Sequence, residues 1–225
     1  MSTPSPNAGR TARDRARAEL TREIKEEARR QLATDGAHRL SLRAVARSLG
    51  MVSSALYRYF PSRDDLLTAL IIDAYDALGA AVEEAARTGS PRARWRAAAH
   101  AVRNWALAHR HEYALIYGSP VPGYQAPQDT VVPAGRAPLT LVEIARDAPD
   151  TEVPPVVGEQ VARIRELVAF DIAPGALARV MVAWTQLFGM VNFELFGQLV
   201  GTADPADEFF DYAVARMAEF VGLPD

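Results

Sequence analysis

Ser41-Leu-Arg-Ala-Val-Ala-Arg-Ser-Leu-Gly50-Met-Val-Ser-Ser-Ala-Leu-Tyr57-Arg-Tyr-Phe60 reads as two short helices that meet at a glycine. Ser41 can cap the first helix, whose Leu42, Val45, Ala46 and Leu49 share one face, and Gly50 supplies the backbone freedom to stop it. The second helix, about Ser53 to Tyr59, begins only a few residues later. It leaves Ser53, Ser54, Tyr57 and Arg58 free to enter a major groove, which is the anatomy of a helix-turn-helix. Many helical proteins place two short helices around a glycine, so the surrounding residues have to carry the argument.

Upstream, Leu20, Ile24, Ala28 and Leu32 recur every four residues, with Arg22, Lys25, Glu26, Arg29 and Arg30 on the other faces. That period predicts an amphipathic helix from about Arg13 to Asp35-Gly36. Residues 1–12 lack the period and read as a flexible basic arm. Downstream, Pro61 breaks the chain, and Ser62 with Asp65 has the spacing of a capping box. A long fourth helix follows, about Arg63 to Arg87, with Leu66, Leu67, Leu70, Ile71, Leu78 and Val82 as its apolar stripe. Gly89-Ser90-Pro91 opens a fifth that runs to about His109, and a short helix is expected over Glu112 to Tyr117.

Residues 118–138 hold Pro120, Pro122, Pro127, Pro133 and Pro138 and read as a loop. Further helices are expected at about 137–147, 156–170, 175–199 and 205–221. The last would have Asp204 as cap, Pro205 at its first position and Gly222 past its end. No stretch alternates as a strand does, so the fold class is all-α: a head of short helices that holds the helix-turn-helix, and a larger helical body. The expected divisions are the arm at 1–12, the head at 13–61 with its helix-turn-helix at about 41–60, and the body at 62–225.

Composition narrows the function. A chain of 225 residues that is 49% hydrophobic can fill a core, yet no apolar run reaches the roughly 18 to 20 residues of a membrane-spanning helix. The arginine-rich N-terminus lacks the apolar segment of an export signal. Zero cysteines exclude disulfides, thiolate zinc sites and a cysteine nucleophile together, so a cytoplasmic location is expected. The net charge of -3 is unevenly spread: residues 1–65 hold 13 Lys and Arg against 8 Asp and Glu, and residues 66–225 hold 12 against 20. A basic head on an acidic body suits a protein that meets a polyanion with one end.

Enzyme chemistry finds little footing here. The histidines are His38, His100, His109 and His111, and neither a phosphate-binding glycine loop nor a GxSxG elbow is present. His109 and His111, two residues apart on a helix, point to different faces, so no metal site and no cofactor are expected. Glu83-Glu84 and Asp207-Glu208 read as solvated helix faces.

The run Ala55-Leu-Tyr-Arg-Tyr-Phe-Pro-Ser-Arg-Asp-Asp-Leu-Leu67 resembles the end of the TetR-family DNA-binding domain. Leu42-Arg-Ala-Val-Ala46 and Leu49-Gly-Met-Val52 fit that family too, and the resemblance covers about residues 15–67. It implies a three-helix DNA-binding head, a ligand-binding and dimerising helical body, and usually repression relieved by a small molecule. Position by position, Ser41 and Arg43 match phosphate-contacting residues, whereas Ser53, Ser54, Ala55 and Arg58 occupy base-facing places. Tyr57 and Tyr59 match an aromatic pair that meets the DNA backbone, and Tyr59 stands where many members have histidine. Arg63 stands where a lysine usually reaches a phosphate. The chemistry agrees, since hydroxyls and guanidiniums serve phosphates and Arg58 can donate two bonds to a guanine. Leu56, Val45, Leu49 and Phe60 read as core.

Beyond residue 67 the resemblance is weaker. Ala183-Trp-Thr-Gln-Leu-Phe-Gly189 is similar to a tryptophan, histidine, glycine signature of one group of these bodies, with Phe188 in place of the histidine. The run from Tyr113 to Tyr124 looks like the mid-body segment of related regulators. Trp105, Tyr113, Tyr117, Trp184, Phe188 and Asn192 are the candidate lining of an apolar pocket with polar handles. Aromatic residues at helical spacing are equally what a plain core uses. The expected partners are double-stranded operator DNA, an unidentified small-molecule effector and a second copy of the chain, with no membrane. The second copy is expected to dock through 175–199 and 205–221, whose Leu177, Val180, Trp184, Leu187, Val191, Phe209, Val214 and Phe220 cover more than one stripe.

Overall fold

Helix-forming stretches punctuated by caps and glycines give ten α-helices and no strand among the described residues. The computed structural model describes residues 6–168 and 171–225. The helices are α1 (Pro6–Asp35), α2 (Leu42–Ser48), α3 (Ser53–Leu56), α4 (Arg63–Ala85), α5 (Pro91–Ala108), α6 (Arg110–Tyr117), α7 (Val131–Ile144), α8 (Pro155–Val168), α9 (Pro174–Leu195) and α10 (Ala206–Val221). Their contacts gather into two units. The head comprises the chain up to residue 71 together with Ser119–Pro127, and the body comprises Ile72–Gly118 and Gln128–Asp225. The division therefore falls inside α4 rather than at residues 61 and 62. A proline interrupts the backbone there without interrupting the packing: Leu66, Leu67 and Leu70 are all buried, yet the body's core along α4 begins only at Ala74.

In the head, α1 buries Ile24, Ala28 and Leu32, α2 buries Leu42, Val45 and Ala46, and α3 buries Leu56. Gly50 takes φ 65°, a left-handed conformation that a side chain disfavours, and the turn it makes lets Met51 N–H donate to Ala46 O at 2.8 Å. The caps act as expected. Ser41 Oγ accepts from Ala44 N–H at 3.4 Å, and Ser62 Oγ accepts from Asp65 N–H at 3.1 Å. Ser62 also donates its hydroxyl to Asp65 Oδ2 at 2.7 Å.

The body packs α5, α7, α9 and α10 around Trp95, Val102, Leu141, Leu177, Leu187 and Phe210. Arg103 is its main polar tie. From α5 the guanidinium donates to both oxygens of Glu194 at 2.6 Å and pairs with Asp207 at 2.6 Å, joining the end of α9 to the start of α10. Arg136 of α7 similarly holds Glu83 and Asp76 of α4, at 2.7 and 2.8 Å. It can lie so close because Gly79 has no side chain: a Cβ there would sit 2.6 Å from the Arg136 Cβ.

Several expectations change. Residues 1–5 of the expected arm lie outside the described residues, but the chain is already helical from Pro6, because alanine and arginine favour helix and proline suits its first turn. The loop expected over 118–138 ends earlier, since α7 starts at Val131 and runs through Pro138. Pro133 falls in the first turn, where no i−4 bond is required, and Pro138 forfeits one bond while Ala137, Leu141 and Val142 around it are buried. Helix α3 closes at Leu56, and hydrogen-bonded turns carry the chain on to Phe60. Helix α9 stops at Leu195, so Leu199 lies beyond it, and Pro205 rather than Asp204 occupies the cap position of α10. Gly222 closes α10 as expected. Of the helix expected over 156–170, residues 169 and 170 lie outside the described residues.

Candidate nucleic-acid interface and body cavity

The two helices of the turn motif offer a polar edge. Arg43, Ser54, Tyr57 and Arg58 are exposed, while Ser41, Ser53, Ala55 and Tyr59 are half-buried. Ser41 is engaged as the cap of α2, which leaves its hydroxyl hydrogen to donate. Arg63 is more committed than the sequence suggests. Its guanidinium donates to Ala37 O at 2.8 Å, Leu40 O at 3.2 Å and Asp64 Oδ1 at 3.2 Å, so it fastens α4 to the turn ahead of α2. Of five N–H donors, two remain for an outside acceptor.

Two residues of this edge escaped the sequence reading. Val52, just before α3, is 69% exposed and offers an apolar surface of the kind that meets a thymine methyl. Its position in the motif was visible, but not its exposure. Arg17 of α1 lies over the Tyr59 ring at 5.5 Å from the centroid, a contact between residues far apart in sequence.

In the body, the expected lining residues divide. Tyr113, Tyr117, Trp184 and Phe188 form a connected aromatic cluster, with ring centroids 5.2 Å apart for Tyr113 and Tyr117, 4.5 Å for Tyr117 and Phe188, and 6.2 Å for Trp184 and Phe188. Trp105 stands apart and stacks on His109 at 5.0 Å. Tyr113 OH, Trp184 Nε1 and Asn192 Oδ1 are buried without a hydrogen-bond partner. Burial pushes the Tyr113 and Tyr117 hydroxyls well above the ordinary phenol value, so both stay neutral donors. Trp184 also lines a cavity of about 400 Å³ between α7, α8 and α9, beside Val132, Pro138, Leu139, Val142 and Val180, with no charged side chain in its wall.

A third surface is apolar and outward-facing. Val182 and Phe193 of α9, with Phe209, Tyr212 and Phe220 of α10, are each between 45% and 62% exposed. At helical spacing they form one stripe on each helix, separate from the buried Leu177, Val180, Leu187 and Val191. Among the described residues no group of three or more His, Asp or Glu could hold a metal ion, and no helix is long and apolar enough to cross a membrane.

Residues 24–70 match the family described as bacterial regulatory proteins, tetR family, and residues 95–217 match the tetracyclin repressor-like C-terminal domain. The chain belongs to the TetR family. It is a DNA-binding transcriptional regulator, and its all-α fold is that of the family. It is 40% identical over 199 residues to the HTH-type transcriptional regulator Rv1816 of Mycobacterium tuberculosis (strain ATCC 25618 / H37Rv), covering 81% of this chain and 83% of that one. The HTH-type transcriptional regulator Mb1846 of Mycobacterium bovis matches over the same length at the same 40% identity, again covering 81% and 83%. Among solved structures, the regulatory protein SCO4313 superposes with a TM-score of 0.82 at 34% identity, over 96% of this chain and 100% of that one. A protein of unknown function from Rhodococcus sp. RHA1 superposes at 0.63 with 29% identity, over 92% and 96%.

Proposed function

We propose that this TetR-family regulator is a homodimeric repressor that leaves its operator when a small apolar or amphipathic molecule binds in the body. Arg58 donates to a base edge, and Ser53, Ser54 and Ala55 line the same groove. Ser41, Arg43, Tyr57, Tyr59 and the spare donors of Arg63 meet phosphates. A major-groove helix in each of two subunits reads half-sites about 34 to 36 Å apart, so repression depends on their separation. The outward stripes of α9 and α10 supply the self-complementary face that a two-fold dimer needs.

The observation that carries the reading is the continuity of α4, whose first turns pack in the head and whose later turns pack in the body's core. Two side chains two turns apart on it bind the stretch from Ile116 to Tyr124, which starts inside the aromatic cluster and runs on past it. Tyr75 OH donates to Ile116 O at 3.3 Å, and Thr68 Oγ1 shares a hydrogen bond with Tyr124 OH at 2.9 Å. A ligand that moves Tyr113 and Tyr117 therefore pulls on the same helix that supports the recognition element.

Linkage gives the test. A compound found by thermal-shift screening is titrated against the chain with and without operator duplex. If it releases DNA, DNA must weaken its binding by the same factor, typically about 5 to 150-fold. Equal affinity in the two titrations refutes effector control by that compound. Sedimentation at micromolar concentration checks the dimer, and a monomer there refutes it.

A further inference from the structure

Helix α1 keeps one stripe along its length while the chemistry of that stripe changes. Ile24 and Ala28 are fully buried and Leu20 is half-buried. Counting back from Leu20 by three and then four residues, the same face carries Arg17 and Arg13, and both are exposed. The helix thus outruns the core of the head, and where it does so its inward face turns from apolar to cationic. Asp14, three residues before Arg17, sets one carboxylate at the border of the stripe, whereas Arg15 and Glu19 project from other faces and Glu19 is paired with Arg22.

We propose that Arg13 and Arg17 form a second DNA-gripping element, which holds backbone phosphates flanking the half-site read by α3. The Arg17 guanidinium rests 5.5 Å from the centroid of the Tyr59 ring, and Tyr59 directly follows Arg58. The cationic stripe therefore begins at the end of the recognition segment, and Arg13 stands one turn, about 6 Å, further along. A duplex seated on α3 carries a charge every 1.7 Å or so of its length, so a cationic stripe that starts beside Tyr59 has phosphates to meet beyond the half-site. The ring face favours the guanidinium and restrains it beside the groove, so less side-chain freedom is lost when a phosphate arrives. These are contacts without base-edge geometry: they add affinity and salt dependence and leave sequence preference alone. The proposal rests on the head being the DNA-binding part and on two subunits engaging one operator.

The operator is first selected from a random duplex library with the intact chain. Its dissociation constant is then measured across a salt series for the parent, the Arg13→Ala/Arg17→Ala pair and the Arg13→Lys/Arg17→Lys pair. The alanine pair should flatten the log–log salt slope by about 0.9 per lost phosphate contact, about 3 to 4 in a dimer. It should also weaken operator and random duplex alike, and lose protection of the flanks in a hydroxyl-radical footprint. The lysine pair should retain most of the slope. An unchanged slope and footprint overturns the proposal. So does a loss of affinity matched by a lower unfolding midpoint, which would assign the arginines to the stability of the head. Arg13→Ala alone, one turn beyond the Tyr59 contact, is expected to give about half the change in slope, and it keeps the test decisive if the pair folds poorly. A parent that selects no duplex overturns both the DNA reading of the head and this extension of it.

Discussion

Head and body bury helices with the same chemistry but finish their polar groups differently. In the head Ser41 and Ser62 cap helices, Arg63 spreads over two carbonyls, and the buried Glu27 pairs with Arg30 at 2.5 Å. The unpartnered buried side-chain atoms among the described residues, Trp95 Nε1, Tyr113 OH, Arg165 Nε, Trp184 Nε1 and Asn192 Oδ1, all belong to the body. A buried polar atom without a partner costs about 1 to 3 kcal/mol. The head is thus built to hold one shape, and the body carries unmade hydrogen bonds that a ligand could complete.

The contrast is most easily broken at Arg103, where the body is as fully paired as anything in the head. Its side chain is 8% exposed and meets two carboxylates. Arg103→Ala should cost about 3 to 5 kcal/mol in urea unfolding, because Glu194, half-buried beneath it, is left without its partner. A loss below about 1 kcal/mol would show that water relieves Glu194 and that the body is looser throughout than described.

Next in size is Arg58→Ala, expected to relax base preference at one operator position by about 1 to 3 kcal/mol at fixed salt, with folding stability unchanged. Equal losses on operator and random duplex would remove its base-reading role. The smallest effects sharpen the contrast most directly. Ser62→Ala should destabilise the head by about 1 kcal/mol through the lost cap. Tyr113→Phe, which removes an unpartnered hydroxyl, should leave the body equally stable or up to about 1 kcal/mol more stable while blunting the response to an effector. If Tyr113→Phe destabilises as much as Ser62→Ala, that hydroxyl is serving structure and the contrast fails.

What was readable in the sequence follows the reach of each interaction. Ser41, Ser62 and Ser90 cap helices through bonds to residues three positions away, so their spacing alone announced three helix starts. The alternation of apolar and charged residues in α1 and α4 likewise fixed which faces are buried. Arg63 was harder, because Ala37 and Leu40 approach it only after the head has folded. The cavity wall is hidden for another reason: nearby prolines mark Val131 and Val132 as loop, yet α7 tolerates both Pro133 and Pro138. Trp105 cannot be told from the other aromatic residues in the sequence, because helical period tells which residues share a face, and not which neighbour that face meets.

The notch at Gly79 has a mechanical meaning. Arg136 sits in it and is paired with Asp76 on one side and Glu83 on the other, so one guanidinium clasps two turns of α4 at once. Filling the notch with one methyl group would push Arg136 outward and unfasten both ion pairs in a single step.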